Sequence, residues 1–135
     1  MYFEKYSQEG QQILQTLAEE LGSPGNTDRA GRTLKSVLYA LRNRYTLEKS
    51  LEFLDALPFS LKAVYVDHWS LPRHQPEPIQ DLDDLISEAR KVDKDSSIQD
   101  FTTHDEAQQA IYAVFRVIGR YMGEEEVRHM VAVLP

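Results

Sequence analysis

The sequence predicts an all-α domain, a bundle of about seven helices built from two related helical halves. Apolar residues recur at helical spacing through most of the chain, and the one strand-like segment, residues 64–66, has no visible partner strand. A long and then a short amphipathic stretch ending in Leu-Pro occurs twice, in residues 33–58 and 110–135. A chain of 135 residues buries about two-thirds of its unfolded surface, which is enough for one core without disulfides. We therefore expect a single domain over residues 1–135.

The first half, about residues 1–69, is expected to contain four helices, at residues 1–21, 28–45, 47–57 and 59–69. Turn-forming residues 22–26 end the first helix, and Asn26 or Thr27 caps the second. Thr46 caps the third, and Pro58 opens the fourth because the first helical turn leaves its amides unpaired. The largely apolar inward positions of the last three helices are expected to be Ala30, Leu34, Val37, Leu38, Leu41 and Tyr45; Leu47, Leu51, Leu54 and Leu57; and Phe59, Leu61, Val64, Tyr65, His68 and Trp69.

Residues 70–78, with three prolines, form a connector to the second half, about residues 79–135. Helices are expected there at residues 79–92, from Thr103 to about Met122, and at residues 124–134. Thr103 and Glu106 form a capping box at the start of the long helix, and Gly123 ends that helix. The inward positions of the helix over residues 79–92 are expected to be Leu82, Leu85, Ile86 and Ala89.

The two halves are predicted to be related by a shift of 77 residues. Under this shift the apolar positions of the second helix fall on apolar positions of the sixth, and Leu57-Pro58 falls on Leu134-Pro135. Few positions are identical, so the prediction rests mainly on the shared order of a long helix, a short helix and Leu-Pro. A duplication requires residues 28–57 and 105–134 to superpose as paired helices.

A set of residues in the first half also carries a family resemblance: Leu34, Val37, Leu38, Ala40, Leu41, Arg42, Arg44, Glu48, Leu57, Pro58, Tyr65 and Trp69. On these residues the chain resembles the bacterial domain-of-unknown-function family 2267. Ser50 departs from the pattern, since the family often has alanine there. The resemblance implies an all-helical, duplicated domain and supplies no catalytic residue.

The composition argues against several classes of protein. The net charge is −7, and the ten acidic and three basic residues between positions 77 and 106 account for all of it. Nucleic-acid binding is therefore not expected, because neutralisation of phosphates drives that affinity. The chain has no cysteine, no secretory signal pattern and no apolar run long enough to span a bilayer. We expect a cytoplasmic protein.

One polar cluster is a candidate site: Asp67, His68, Trp69 and His74. Aspartate and two histidines can bind a divalent metal or transfer a proton. No third ligand has motif spacing, however, so ordinary solvated histidines are the preferred interpretation. Trp69 is expected to cover one end of the core, and its replacement by alanine is then expected to cost about 3–5 kcal/mol of stability. If Trp69 is instead an exposed anchor for a partner, the same replacement is expected to leave stability nearly unchanged and to abolish association.

Three other patterns have structural explanations. The calcium-like run that begins at Asp93 lacks the glycine and the final carboxylate of such loops. Residues 124–126 are glutamates that complement a helix dipole. The basic helix over residues 29–44 could bind phosphate or RNA, but it has no glycine loop or interleaved aromatics, and a solvated face or docking of the acidic segment 77–106 is the preferred explanation.

We therefore expect a non-enzymatic protein-interaction or regulatory module that binds an unknown partner or a second copy of itself. No catalytic residue, cofactor or metal is predicted. An enzyme or metal-dependent protein centred on Asp67, His68 and His74 is the alternative, and a phosphate- or RNA-binding module on the Arg29–Arg44 helix is a weaker one.

Overall fold

A computed structural model describes residues 3–134 of the chain. Within that range there are seven α-helices and no strand, which confirms the predicted all-α class. The helices are α1 (Phe3–Glu20), α2 (Thr27–Arg44), α3 (Leu47–Ala56), α4 (Phe59–Val66), α5 (Leu82–Lys94), α6 (His104–Gly119) and α7 (Glu124–Met130), and a short 3-10 helix (Val131–Val133) follows. None of these described helices is long and apolar enough to cross a membrane.

Side-chain caps set where four of the helices begin. Asn26, Thr46 and Thr103 each accept a hydrogen bond from the backbone amide three residues later, as predicted, and Asp81 caps α5 in the same way. The Glu106 carboxylate accepts from the hydroxyls of the neighbouring threonines instead of from the cap amide. Only one of the two reciprocal bonds of the predicted capping box is therefore made.

The long helix α2 lies at the centre and packs against α1, α4, α5 and α6. Eight residues of α2 and eight of α6 are buried, and small residues such as Ala30, Ala40, Ala107 and Ala113 lie among them. Small side chains let neighbouring helices approach closely. The predicted inward stripes of α2 and α5 are confirmed, since all of their residues are buried.

The predicted inward face of α3 is wrong for two of its four leucines. Leu47 and Leu51 are exposed by 49% and 51%, whereas Leu57 is buried and Leu54 packs against the core as predicted. Ser50 and Phe53 take the core positions expected for the two exposed leucines. The Phe53 ring packs between the buried rings of Tyr45 and Tyr65, and the Tyr65 hydroxyl is hydrogen-bonded to the Ser50 hydroxyl. These contacts turn α3 so that Leu47 and Leu51 face outward.

The fourth helix ends at Val66, three residues before the predicted end at Trp69. Asp67 is extended, and His68 adopts a left-handed conformation with φ of 56°. Phe59 and His68, which were expected to face the core, are exposed. The reason for the early end is an arginine of α2 that binds the last carbonyls of the helix, as described below.

Three further boundaries differ by a few residues. The capping residue Asp81 delays α5 to Leu82, and α5 then runs to Lys94 instead of residue 92. Helix α6 ends at Gly119 instead of the predicted Met122. The backbone amides of residues 120 and 121 donate hydrogen bonds to the carbonyls three residues earlier, which tightens the last turn. The last predicted helix becomes α7 followed by a 3-10 turn.

The relation between the halves stays a prediction. Each half has an amphipathic helix, then a long helix, then a short one that leads into Leu-Pro. This is the order of elements that a duplication requires.

Candidate functional site

The four residues of the predicted polar cluster lie around the connector but do not form one site. The side chains of Asp67 and His68 are exposed by 64% and 82%, and their nearest charged atoms are 3.7 Å apart. His74 and the half-buried Trp69 line a groove further along the connector. Between residues 3 and 134 no three histidine, aspartate or glutamate side chains come close enough together to hold a metal ion.

Arg42 of α2 holds the beginning of the connector. Its Nη1 donates hydrogen bonds of 2.8 and 2.7 Å to the carbonyl oxygens of Tyr65 and Asp67. The Tyr39 hydroxyl donates to the same Asp67 oxygen, and the Arg42 guanidinium lies 3.8 Å from the centre of the Tyr39 ring. These bonds satisfy carbonyls at the end of α4, so the chain leaves the helix there.

Arg44, two residues further along α2, holds the other end of the connector. It donates through Nε and Nη2 to the carbonyl oxygens of Glu77 and Pro78, at 2.6 and 3.2 Å. The same guanidinium forms a two-bond ion pair with Asp84, at 3.0 and 2.8 Å, and lies 3.5 Å from Glu88. Hydrogen bonding to Asp84 raises the pKa of Arg44, and hydrogen bonding to Arg44 lowers the pKa of the Asp84 carboxyl.

The connector is therefore a loop whose two ends are attached to neighbouring positions on one helix. We call residues 67–78 the connector arch. Compact surface loops whose ends lie close together are frequently functional. The arch leaves a groove of about 290 Å³ against the end of α2 and the beginning of α3, and we call it the connector groove.

The connector groove is lined by apolar and basic side chains. Leu47 of α3 and Trp69 and Leu71 of the arch are among its apolar lining residues, and Leu71 is exposed by 64%. Arg73 and His74 lie among the lining residues beside the prolines of the arch. The exposed Leu51, one helical turn from Leu47, extends the apolar surface along α3.

A chain of aromatic rings fixes the base of the groove. Trp69 packs edge-on against Tyr65 at 5.8 Å, Tyr65 contacts Phe53 at 5.5 Å, and Phe53 contacts Tyr45 at 5.7 Å between ring centres. The hydroxyls of Tyr65 and Ser50 are 2.7 Å apart in the core. Burial raises the pKa of Tyr65 to about 12, so its hydroxyl keeps the proton that this hydrogen bond can use. Trp69 therefore packs against the core and also lines the groove.

The arginines at the start of α2 are also used inside the chain. Arg32 forms a two-bond ion pair with Asp100, at 2.9 and 3.1 Å, and Arg29 donates to the Ser23 hydroxyl at 3.0 Å. The ion pairs of Arg32 with Asp100 and of Arg44 with Asp84 show that part of the acidic segment docks on the basic helix. A phosphate-binding surface on α2 would need these side chains to be free.

The calcium-like run also has a structural use. Asp93 is buried and its carboxylate accepts hydrogen bonds of 2.8 to 3.1 Å from the backbone amides of Asp100 and Phe101. The carboxylate therefore closes the loop between α5 and α6.

Sequence reasoning identified Trp69 and His74 by residue type, but it missed the groove that joins them. Leu47 and Leu51 of α3 were assigned to the core, and Arg42 and Arg44 were assigned to the basic helix without their bonds to the connector. Their position in the sequence could have revealed the groove. A connector that crosses the end of a helix lies close to the residues at that end, and two arginines stand at the end of α2.

Comparison with known proteins places the chain in a family. A family model described as "Uncharacterized conserved protein (DUF2267)" matches residues 10–135. This match confirms the resemblance drawn from the first-half motif. No curated protein matches the chain.

Proposed function

The chain belongs to the DUF2267 family, and we propose that it is a non-enzymatic protein-interaction module that binds its partner in the connector groove. The observation that carries the proposal is the exposure of Leu47 and Leu71 at one groove with a fixed base. Exposed apolar surface that is rimmed by polar residues is typical of interaction sites. The cysteine-free composition supports the cytoplasm as the setting.

Rigidity strengthens the proposal. Arg42 and Arg44 hold both ends of the arch, and Trp69 rests on the buried Tyr65 ring. A surface that is ordered before binding loses less conformational freedom when a partner arrives. Tryptophan is also one of the side chains most often found to dominate binding energy.

The two alternatives lack a supporting geometry in the described part of the chain. A metal-dependent protein would need Asp67, His68 and His74 to lie close together, and no such group of three is found among residues 3–134. A phosphate-binding module would need free cations along α2, where Arg29, Arg32 and Arg44 are engaged.

Site-specific photocrosslinking in the native cell tests this function. A photoreactive phenylalanine at position 71 is expected to give a discrete crosslinked product, and the same group at Ile98, an exposed aliphatic residue in the loop after α5, is expected to give none. Adding Leu47→Ser should remove the product, because it takes away the facing apolar surface. A product that consists of two copies of the chain would identify the partner as the protein itself. No product at position 71, or the same product at both positions, would refute the proposal.

A further inference from the structure

We infer that the occupant of the connector groove is a short acidic and apolar peptide segment of a partner protein. Its apolar side chain packs among Leu47, Trp69 and Leu71, and its carboxylate lies beside Arg73 and His74. This inference rests on the function proposed above and adds the chemistry of the partner.

The charge of the groove selects an acidic occupant. Arg42, Arg73 and His74 are among its lining residues, and no carboxylate is. Arg73 forms no ion pair with any residue between positions 3 and 134, so its charge is available to a ligand, and the exposed His74 ring lies beside it. A segment that carries aspartate or glutamate beside its apolar residue would gain charge-assisted hydrogen bonds from these side chains.

The net charge of −7 does not reverse this selection. Exposed charges further apart than the Debye length, about 8 Å at physiological ionic strength, are largely screened. A carboxylate in the groove lies directly beside the basic lining residues, and the more distant acidic residues act on it only weakly. The net charge instead slows the approach of acidic segments at low salt.

The size and shape of the groove select a short segment. A volume of about 290 Å³ lies at the lower end of the range of about 300–1,000 Å³ seen for ligand pockets. It has room for one or two side chains rather than for the face of a folded domain. Leu51 continues the apolar surface by one helical turn beyond Leu47, so a helical segment with apolar anchors at i and i+3 or i+4 fits along it.

Selection from a random peptide library displayed on phage, with the full chain as bait, tests the inference. Enriched peptides are expected to combine an apolar pair with aspartate or glutamate. A fluorescein-labelled selected peptide is then titrated by anisotropy. Leu71→Ser is expected to weaken binding at least tenfold and Ile98→Ser to leave it unchanged; both positions are exposed, so both variants should fold.

The charge requirement has its own pair of variants. Arg73→Glu is expected to weaken binding at least tenfold and to reduce its salt dependence, whereas Lys91→Glu on the exposed surface of α5 is expected to leave both unchanged. Leu71-dependent peptides without acidic residues would overturn this inference and leave the proposed function standing. Failure to select any Leu71-dependent peptide would also overturn it, and the crosslinking result would then decide the proposed function separately.

Discussion

Replacing Arg44 by methionine is expected to destabilise the protein by about 2–4 kcal/mol. The change removes the two-bond ion pair with Asp84, the contact with Glu88 and two hydrogen bonds to the end of the connector arch. Methionine keeps most of the apolar stem, so the loss comes mainly from the guanidinium.

The magnitude follows from how far these charges are buried. The side chains of Arg44 and Asp84 are exposed by 17% and 28%, so the pair is intermediate between a buried and an exposed ion pair. Removing one partner of a buried pair costs about 3–5 kcal/mol, and exposed pairs contribute about 0–1 kcal/mol. The two carbonyls of the arch would also lose their donors, although water can replace some of those bonds.

Urea unfolding of the variant measures this cost. With a urea dependence of about 2 kcal/mol per molar, the midpoint is expected to fall by about 1–2 M. Trp69 is the only tryptophan, so its fluorescence reports the arch directly and should change before the main transition. Arg116→Met is the matched control, because Arg116 is exposed by 54% and its one ion pair among residues 3–134 is with Glu20. This variant should lose less than about 1 kcal/mol of stability. Equal midpoints for the two variants would refute the role assigned to Arg44.

Phe53→Ala is expected to cost about 3–5 kcal/mol, and Leu51→Ala on the outer face of the same helix less than about 0.5 kcal/mol; urea midpoints that reverse this order would contradict the observed face of α3. Asp93→Asn is expected to cost about 1–3 kcal/mol, because two loop amides lose a charged acceptor, and faster hydrogen exchange at Phe101 is the accompanying measurement. The pKa of Asp84 is lower in the folded protein than its usual 3.8, so its stabilising effect is complete above about pH 4 and is lost as the pH falls through the folded value. Stability measured against pH should therefore decline more steeply below pH 4 in the wild type than in Asp84→Asn, and identical slopes would exclude this contribution.

Helix starts could be predicted from the sequence because their signals are local. Asn26, Thr46 and Thr103 each bond an amide only three residues away, and that spacing is visible in the sequence. The inward stripe of α2 was also predictable, since only one row of that helix is consistently apolar. Trp69 and His74 could be singled out by residue type alone.

The face of α3 could not be predicted from its own residues. A row of Leu47, Leu51 and Leu54 and a row of Ser50 and Phe53 both have helical spacing, and Leu57 can complete either row. Leucine periodicity favours the first row, and the structure uses the second because Tyr65 supplies both a ring for Phe53 and a hydroxyl for Ser50. Such a choice depends on residues of another helix.

The connector groove was hidden from the sequence for the same reason. Arg44 reaches partners 33 to 44 residues further along the chain, and no local pattern encodes such a pairing. The proline-rich composition of residues 70–78 predicts a connector, but not that one helix holds both of its ends.

Because both ends of the arch are attached to α2, the sequence of the groove can change during evolution while the helix bundle stays the same. Residues between the two attachment points can be inserted, deleted or exchanged while the arginines still meet the same backbone carbonyls. Lengthening a flexible loop costs only about 0.6 kcal/mol for each doubling of its length. A chain built in this way can acquire a new binding preference by changing the arch alone, at little risk to its fold.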